Sequence, residues 1–400
     1  MFGKRIELFK LFGFSVRIDL SWLVIAVLIT WSLASGWFPQ YGTDLSPETY
    51  WWMAVAGTLG LFASIIFHEM SHSLIARRFG LPMKGITLFI FGGVAEMDEE
   101  PPSAKAEFWM AVAGPAASAV LVGLFALLTM RASAAGWPQS MHHVLHYLAT
   151  INAVLIVFNS IPAFPLDGGR VLRAGLWHWK RDLSWATRIS SQIGSMFGIM
   201  LIVLGVFNFL SGNFVGGMWW ALIGLFLRSA ATMSYQRLVV RQALEGEPVR
   251  RFMTSDPVTV PPDISVQELV DDYVYHHHYK MLPVVENDRL LGCVSTRQIR
   301  EVPRETWSDT SVRELAAGCS QENTVRPDAD AMHALAQMSR SGVSRLMVVD
   351  DGRLVGVLAL KDLLGFLSLK VELEGDGDGQ GLQALQAAQV QALAGEKSPE

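Results

Sequence analysis

Two histidines and a glutamate, His68, Glu69 and His72, stand close together in the segment SIIFHEMSHSL at residues 64–74. Histidines four positions apart project from the same face of a helix, so both imidazoles can bind one zinc ion. Glu69 between them is then placed to take a proton from an attacking water molecule. This spacing of residue types is therefore typical of a zinc-dependent peptidase.

The alternative is a chance occurrence of the His-Glu-x-x-His pattern, which is common in soluble proteins. The segment around His68 and His72 is otherwise as apolar as a membrane span. An ionisable group in hydrocarbon costs about 2.5 kcal/mol or more unless it faces a polar cavity or a metal. Metal binding is therefore the favoured interpretation of the two histidines.

A hydrolytic zinc site needs a third protein ligand and an open fourth position. Asp167, in the segment FNSIPAFPLDGGR at residues 158–170, is the best candidate. Two prolines before it break the helix and two glycines after it let the backbone turn, so the carboxylate can point towards His68. The competing interpretation is that Asp167 only caps a following helix, which is expected to begin near Arg170.

These side chains need a membrane-embedded scaffold to hold them. The chain has 400 residues, of which 51% are hydrophobic and 17% charged, and this is too apolar for an ordinary soluble protein of that size. Its long apolar runs lie in the first 235 residues. Candidate spans near the ~20 residues that a bilayer requires are 20–37, 52–78, 107–130, 143–165, 193–211 and 214–233. The two cysteines exclude a disulfide framework and favour a reducing compartment for the remaining, soluble part.

Basic residues set the orientation of the spans, since basic loops are retained in the cytoplasm. One side of the predicted spans offers only Arg131 in its loops. The other side carries Lys4, Arg5, Lys10, Arg17, Arg77, Arg78, Lys84, Lys105, Arg170, Arg173, Lys180, Arg181 and Arg188. We therefore expect a multi-pass cell-membrane protein with both termini in the cytoplasm. At ~1.5 Å per residue, the histidines lie roughly 8–15 Å into the membrane from that side.

Between the second and third spans, the segment MKGITLFIFGGVAEMDEEPPS has the alternating, β-branched character of a short hairpin or re-entrant sheet. An open strand edge at residues 86–90 could hold an unwound substrate segment by main-chain hydrogen bonds. The alternative is that this hairpin is a purely structural cover. The residues before the first span are expected to form a cytoplasmic amphipathic leader.

Four segments together resemble the site-2 protease family of intramembrane zinc metalloproteases. They are HEMSH in the second span, FGGVAEM at 91–97, EFWMAVAGPAAS at 107–118 and NSIPAFPLDGGR at 159–170. The resemblance implies that His68, His72 and Asp167 hold zinc and that Glu69 is the general base. It further implies that Asn159 and Asn152 contact the substrate carbonyl or the developing oxyanion. Substrates of such enzymes are membrane proteins such as anti-sigma or pro-sigma factors.

The soluble half contains an internal repeat. Residues 281–299 and 345–363 superpose without a gap at an offset of 64 positions, and the two units resemble a tandem cystathionine-β-synthase-type (CBS) module. Such modules sense adenine nucleotides such as ATP, ADP or AMP, and they associate as homodimers. The family pattern points to Ser295 and Asp362 as nucleotide-binding residues. Gln298 and Ala359 depart from that pattern, so we expect at most one good site, and a module kept for dimer contacts is the alternative.

We therefore predict a polytopic α-helical membrane protein of about six transmembrane helices, with a short β-hairpin or sheet and a soluble α/β CBS pair. The predicted parts are a protease domain at 1–235, a linker at 236–248, CBS units at about 249–304 and 312–370, and a flexible tail at 371–400. The predicted function is hydrolysis of a peptide bond in or near a substrate's transmembrane segment. A CBS-regulated ion transporter and a catalytically inactive adaptor are the alternatives, and no nucleic-acid partner is expected.

Overall fold

The computed structural model describes residues 5–41, 45–89, 92–97, 100–318, 320 and 323–374. The chain forms two compact units, Met1–Tyr235 and Gln236–Glu400, which we describe separately. Most of the predicted tail, from residue 375 onward, lies outside the described residues.

The first unit is built from long apolar helices. Helix α1 (Leu20–Ser32) continues through a π-helical turn (Leu33–Trp37) into α2 (Phe38–Tyr41). The other helices are α3 (Pro47–Arg78), α4 (Ala104–Ala134), α5 (Gln139–Asn159), α6 (Asp167–Lys180), α7 (Leu183–Leu210) and α8 (Phe214–Leu244). Among the described residues, six helical segments are long and apolar enough to cross a membrane, which confirms the predicted polytopic fold.

Polar side chains define where these helices begin. Asp19 accepts a hydrogen bond from the Ser21 backbone N–H at 2.9 Å and so starts α1 directly after a strand. Ser103 accepts one from the Ala106 N–H at 3.2 Å at the start of α4. Each cap satisfies a backbone donor that has no partner within the helix, which matters most where water is scarce.

The fourth span ends earlier than the sequence predicts. Helix α5 stops at Asn159 instead of continuing to residue 165, and the chain then forms a tight loop before α6 begins at Asp167. A Cβ on Gly169 would lie 2.2 Å from the Phe164 backbone nitrogen, so only glycine lets the two backbones approach this closely. The loop places Asp167 at the start of α6 instead of on α5.

A four-stranded sheet completes the first unit, and the sequence predicted only half of it. Its strands are β1 (Arg5–Leu11), β2 (Phe14–Asp19), β3 (Met83–Phe89) and β4 (Gly92–Met97). They lie in chain order, with β2 and β3 parallel and the other two pairs antiparallel. The predicted amphipathic leader is therefore the strand pair β1–β2, which the sequence did not reveal because its partner β3 lies more than sixty residues away.

The predicted open edge at 86–90 is wrong. Strand β3 is paired on both sides, with β2 and with β4, and residue 90 lies outside the described residues. Among the described residues, β4 pairs with β3 alone. The free edge on this side of the sheet therefore belongs to β4. The sequence did not predict this, because the alternation of residues along a strand does not reveal which strand ends a sheet.

The second unit is an α/β fold around a seven-stranded sheet. Its strands are β5 (Thr254–Ser255), β6 (Met281–Glu286), β7 (Arg289–Ser295), β8 (Ala317–Gly318), β9 (Thr324–Val325), β10 (Arg345–Asp350) and β11 (Arg353–Ala359). Its helices are α9 (Val266–Glu268), α10 (Tyr275–His277), α11 (Thr296–Glu301), α12 (Val312–Leu315), α13 (Ala331–Ser341) and α14 (Leu360–Glu374). A π-helical turn (Leu269–Val274) joins α9 and α10, and short 3₁₀ turns lie at Val249–Arg251 and Arg304–Thr306.

Two hairpins in this unit confirm the internal repeat at the level of strand register. Val284 pairs with Gly292 in β6–β7, and Val348 pairs with Gly356 in β10–β11. Both hairpins shift register immediately after that pair. The equivalent residues are 64 positions apart, as the sequence offset predicts. Each repeat buries its own apolar cluster, one around Val284 and the other around Val348.

Candidate active site

Three potential metal ligands meet inside the first unit. His68 and His72 lie one turn apart on α3, and Asp167 is the first residue of α6. The Nε2 atoms of the histidines are 3.2 Å apart. Asp167 Oδ2 lies 3.1 Å from His68 Nε2 and 3.2 Å from His72 Nε2. All three side chains are buried, so residues distant in sequence converge on one small volume.

These distances fit a tetrahedral zinc site. With zinc-to-ligand distances of about 2.0–2.1 Å, the ligand atoms of a tetrahedral site lie about 3.3 Å apart. The measured separations of 3.1–3.2 Å are close to that value. Two imidazoles and one carboxylate are also a known donor set of catalytic zinc, which keeps its fourth position open.

Helix α4 provides a hydrogen-bond partner for the Nδ1 atom of each imidazole. The Nδ1 atom of His72 donates to the Met110 carbonyl oxygen at 2.6 Å. The Nδ1 atom of His68 lies 2.9 Å from the Ser118 hydroxyl. With Nδ1 carrying the proton, each ring directs the lone pair of Nε2 towards the shared site, which is the tautomer that a metal requires.

Gly114 leaves room for an ion among the ligands. A Cβ at this position would lie 2.2 Å from His72 Nε2 and 2.5 Å from His68 Nε2. Any other residue would therefore fill the space into which the two imidazoles point. The glycine backbone forms one wall of the site, between Met110 and Ser118 on the same helix.

Glu69 lies beside the ligands and lines a cavity of about 700 Å³. Strand β4 passes close to this carboxylate, since a Cβ on Gly93 would lie 2.8 Å from Glu69 Cγ. The cavity is mostly apolar, with a small number of polar residues on its wall: His68, Glu69, His72, Glu100, Asn159, Asp167, Arg170, Arg173 and Ser234. The Glu69 carboxylate thus lines the same cavity as the three potential ligands, where a general base would have to lie.

The two asparagines occupy different environments. Asn159, at the end of α5, lines the cavity. Asn152 is fully buried, and its side-chain NH₂ donates to the Ser64 hydroxyl at 3.0 Å and to the Leu148 carbonyl at 2.8 Å. Asn152 therefore joins α5 to α3 and presents no surface to the cavity.

A buried ion pair lies next to the site. The Arg173 guanidinium on α6 donates from Nε to Glu107 Oε1 on α4 at 2.5 Å and from Nη2 to Glu100 Oε2 at 3.3 Å. Glu107 is fully buried and Arg173 is 5% exposed. The sequence placed Arg173 among exposed loop cations, and its burial was not predicted.

In the second unit, the two residues expected to bind nucleotide lie at helix starts. Ser295 caps α11, and its hydroxyl donates to the Gln298 side chain at 2.6 Å. The Gln298 side-chain NH₂ also donates to the Leu315 carbonyl at 2.8 Å. Gln298, which stands where the family pattern has Asp, therefore makes a structural hydrogen bond within the unit. Asp362 is half-buried in the first turn of α14.

Sequence reasoning missed the contributions of Met110, Gly114, Ser118 and Arg173. The small residues of AGPAAS at 113–118 indicated only close helix packing. The spacing of Met110, Gly114 and Ser118 does carry a signal, because residues four positions apart lie on one face of a helix. A glycine and a hydroxyl on that face are compatible with packing against functional side chains.

Comparisons with known proteins match both halves of this chain to known families. Residues 56–135 and 130–205 match the model of peptidase family M50, and residues 249–305 and 312–369 match that of the CBS domain. Rip3 of Mycobacterium tuberculosis is 35% identical over 360 residues, which is 90% of this chain and 91% of that protein. The zinc metalloprotease MJ0392 of Methanocaldococcus jannaschii is 30% identical over 375 residues, which is 92% of this chain and 98% of that protein. A solved site-2 protease from the same organism shares 25% identity over 57% of this chain and 94% of its own, with a TM-score of 0.40.

Proposed function

The chain belongs to peptidase family M50, and on that premise we propose that it is an intramembrane zinc endopeptidase that cleaves the transmembrane segment of another membrane protein. His68, His72 and Asp167 are the proposed zinc ligands, and Glu69 is the proposed general base. The observation that carries the proposal is the meeting of three ligand atoms within 3.2 Å of one another beside Glu69, with both histidines on a helix that can span a membrane.

Each residue has a distinct role in the proposed reaction. A bound zinc ion would polarise the scissile carbonyl and acidify the attacking water. Glu69 takes a proton from that water and later delivers it to the leaving amine. Asn159, on the wall of the cavity, donates a hydrogen bond to the substrate carbonyl oxygen. Asn152 keeps α5 in register with α3 through Ser64 and does not contact the substrate.

The free edge of β4 is the proposed binding surface for the unwound substrate. A peptide bond within a helix is shielded by its own hydrogen bonds, so the substrate must become extended before Glu69 can act on it. Strand β4 lies against Glu69 at Gly93 and offers main-chain donors and acceptors on its unpaired side. A substrate strand that adds to this edge would run beside the catalytic carboxylate.

The substrate and the orientation are part of the proposal. We infer that both termini and the second unit face the cytoplasm, because basic residues are concentrated on that side of the spans. A single-span protein such as an anti-sigma or pro-sigma factor is a suitable substrate, since cleavage near the cytoplasmic side releases its soluble part. A homodimer formed through the CBS module is compatible with this orientation.

The CBS module is the proposed regulatory element. An adenine nucleotide bound near Asp362 would alter proteolysis only if it binds two arrangements of the protein with different affinity. Ser295 already serves as a helix cap, so Asp362 is the residue on which nucleotide binding chiefly depends. Substitution of Asp362 should therefore remove the effect of nucleotide on proteolysis without changing the residues of the first unit that carry out the reaction.

Substitution of the general base tests the proposal directly. The full-length protein and its Glu69→Gln variant are purified with zinc, and cleavage of a reconstituted single-span substrate is measured together with zinc content. We expect Glu69→Gln to abolish cleavage and to retain zinc, because the variant removes a base but no ligand. Normal cleavage by Glu69→Gln would refute the mechanism. A wild-type protein without bound zinc would favour the inactive-adaptor alternative.

A further inference from the structure

One face of α4 carries an unusual set of contacts. Met110 and Ser118 bind the two histidines, Gly114 approaches their Nε2 atoms, and Glu107, one turn before Met110, binds Arg173. Positions 107, 110, 114 and 118 recur at helical spacing, so all four point from the same side of the helix. The same face thus touches both histidines and also the helix that begins with Asp167.

Arg173 connects this face to the segment that carries Asp167. It lies on α6 less than two turns after Asp167 and reaches back across the cavity wall to Glu107. Its guanidinium also lies over the Phe164 ring, 5.1 Å from the ring centroid. Phe164 belongs to the loop that precedes Asp167, so Arg173, which follows Asp167, packs on the chain just before it.

The burial of this pair requires an explanation. Removing two charged groups from water is costly, and replacing a buried ion pair by apolar residues is frequently neutral or stabilising. Glu107 is nevertheless fully buried and Arg173 nearly so. In some proteins a buried polar or charged group fixes one arrangement out of several. The arrangement next to this pair is that of the three potential metal ligands.

We propose that the Glu107–Arg173 ion pair positions Asp167 as the third metal ligand. The histidines sit on one continuous helix and share a rigid spacing, whereas Asp167 comes from a separate helix that follows a loop. The ion pair joins that second helix to α4, which already orients both histidines. Arg173 is thus a positioning residue, and the inference rests on the proposed zinc site.

Arg170 provides a matched comparison on the same helix. It lies one turn before Arg173 and lines the same cavity. Its side chain has no hydrogen-bond or ion-pair partner among the residues that the structure describes, and its charge acts on Glu69, His72 and Glu107 through space. Loss of the Arg170 charge therefore changes the electric field in the cavity without cutting the connection to α4.

The test uses a double variant, because Arg173→Gln alone would leave Glu107 buried without a partner. In Glu107→Gln/Arg173→Gln both charges are lost together, and the two amides can hydrogen-bond to each other. Full-length protein in detergent is stripped of metal, and folding is checked by thermal unfolding. Zinc affinity is then measured by competition with a chelator, and the ligand geometry is measured from the visible absorption of bound Co²⁺.

We expect zinc affinity of the double variant to fall by about 10- to 100-fold, as for loss of other groups that orient metal ligands. Arg170→Gln should not weaken zinc binding, because it removes a positive charge from the cavity and keeps the connection to α4. The Co²⁺ absorption should change in intensity and position for the double variant alone. A folded double variant with the parent's affinity and spectrum would refute the inference, even if its unfolding temperature had dropped. An equal change in Arg170→Gln would also refute it, because a general field effect would then suffice. A parent protein that binds neither metal would refute the proposed zinc site itself.

Discussion

Gly114 on α4 faces His72 on α3 so closely that a Cβ at position 114 would lie 2.2 Å from His72 Nε2. The Nδ1 atom of the same imidazole donates to the Met110 carbonyl, so the ring cannot rotate away without losing a hydrogen bond. The glycine thus defines the space in which a metal ion can sit.

The first prediction is that Gly114→Ala eliminates zinc binding in an otherwise folded protein. The added methyl group would occupy the volume between the two imidazoles. Gly123→Ala on the same helix is the matched control, because a Cβ there would meet no atom within 4 Å. Zinc content of the purified variants is measured by elemental analysis. Stoichiometric zinc in Gly114→Ala would show that the metal does not lie between the histidines.

The second prediction concerns the hydrogen bond between Ser118 and His68, which is 2.9 Å long. Ser118→Ala removes the partner of Nδ1, so we expect zinc affinity to fall by about 10-fold or more. Ser133→Ala is the control on the same helix, since the Ser133 hydroxyl donates only to the Thr129 carbonyl within α4. Chelator competition distinguishes the two variants. Equal affinities for both would leave Ser118 with a packing role only.

The third prediction concerns the edge of β4. Backbone N–H groups along an antiparallel strand alternate between its partner and its free edge. Of the neighbouring variants Val94→Pro and Ala95→Pro, we expect one to impair cleavage with little loss of thermal stability, because it removes a donor at the free edge. The other should lower stability, because it removes a donor to β3. Unchanged cleavage by both would identify the sheet as a structural cover.

The fourth prediction concerns orientation. Cys293 is 6% exposed and is a poor target for labelling, so both native cysteines are replaced and single cysteines are introduced elsewhere. Ala135→Cys lies between α4 and α5, and Arg297→Cys replaces a residue whose side chain is 73% exposed. A membrane-impermeant thiol reagent should label only Ala135→Cys in intact cells and should reach Arg297→Cys after lysis. The reverse pattern would overturn the cytoplasmic placement of the second unit.

The fifth prediction is that an adenine nucleotide stabilises the full-length protein and that Asp362→Ala weakens this effect. A ligand that binds only the folded state raises the unfolding temperature, and the stabilisation grows with the logarithm of one plus the ratio of free ligand concentration to Kd. Thermal unfolding with ATP, ADP and AMP at millimolar concentration measures the shift. Asp272→Ala, at an exposed carboxylate of the same unit, is the control. The absence of any shift in the parent protein would leave dimerisation as the role of the module.

Local sequence patterns were sufficient to predict much of the structure of this molecule. The histidine spacing on α3 follows from helix geometry, so the sequence alone identified His68, Glu69 and His72 as one cluster. The lengths of the apolar runs depend on the thickness of a bilayer, so the membrane-spanning helices were found to within a few residues at most ends. The offset of 64 residues likewise revealed the paired CBS units, because their hairpins repeat the same register.

Contacts between distant segments could be decided only by the tertiary structure. The pairing of β2 with β3 moved the free edge of the sheet to β4, and no local pattern records which strands become neighbours. The orientation of the histidines by Met110 and Ser118, and the space left by Gly114, depend on how α4 packs against α3. The ion pair between Glu107 and Arg173 depends on the packing of α4 against α6. Residue types and spacing thus determined which groups could do chemistry, whereas helix packing determined how those groups are held.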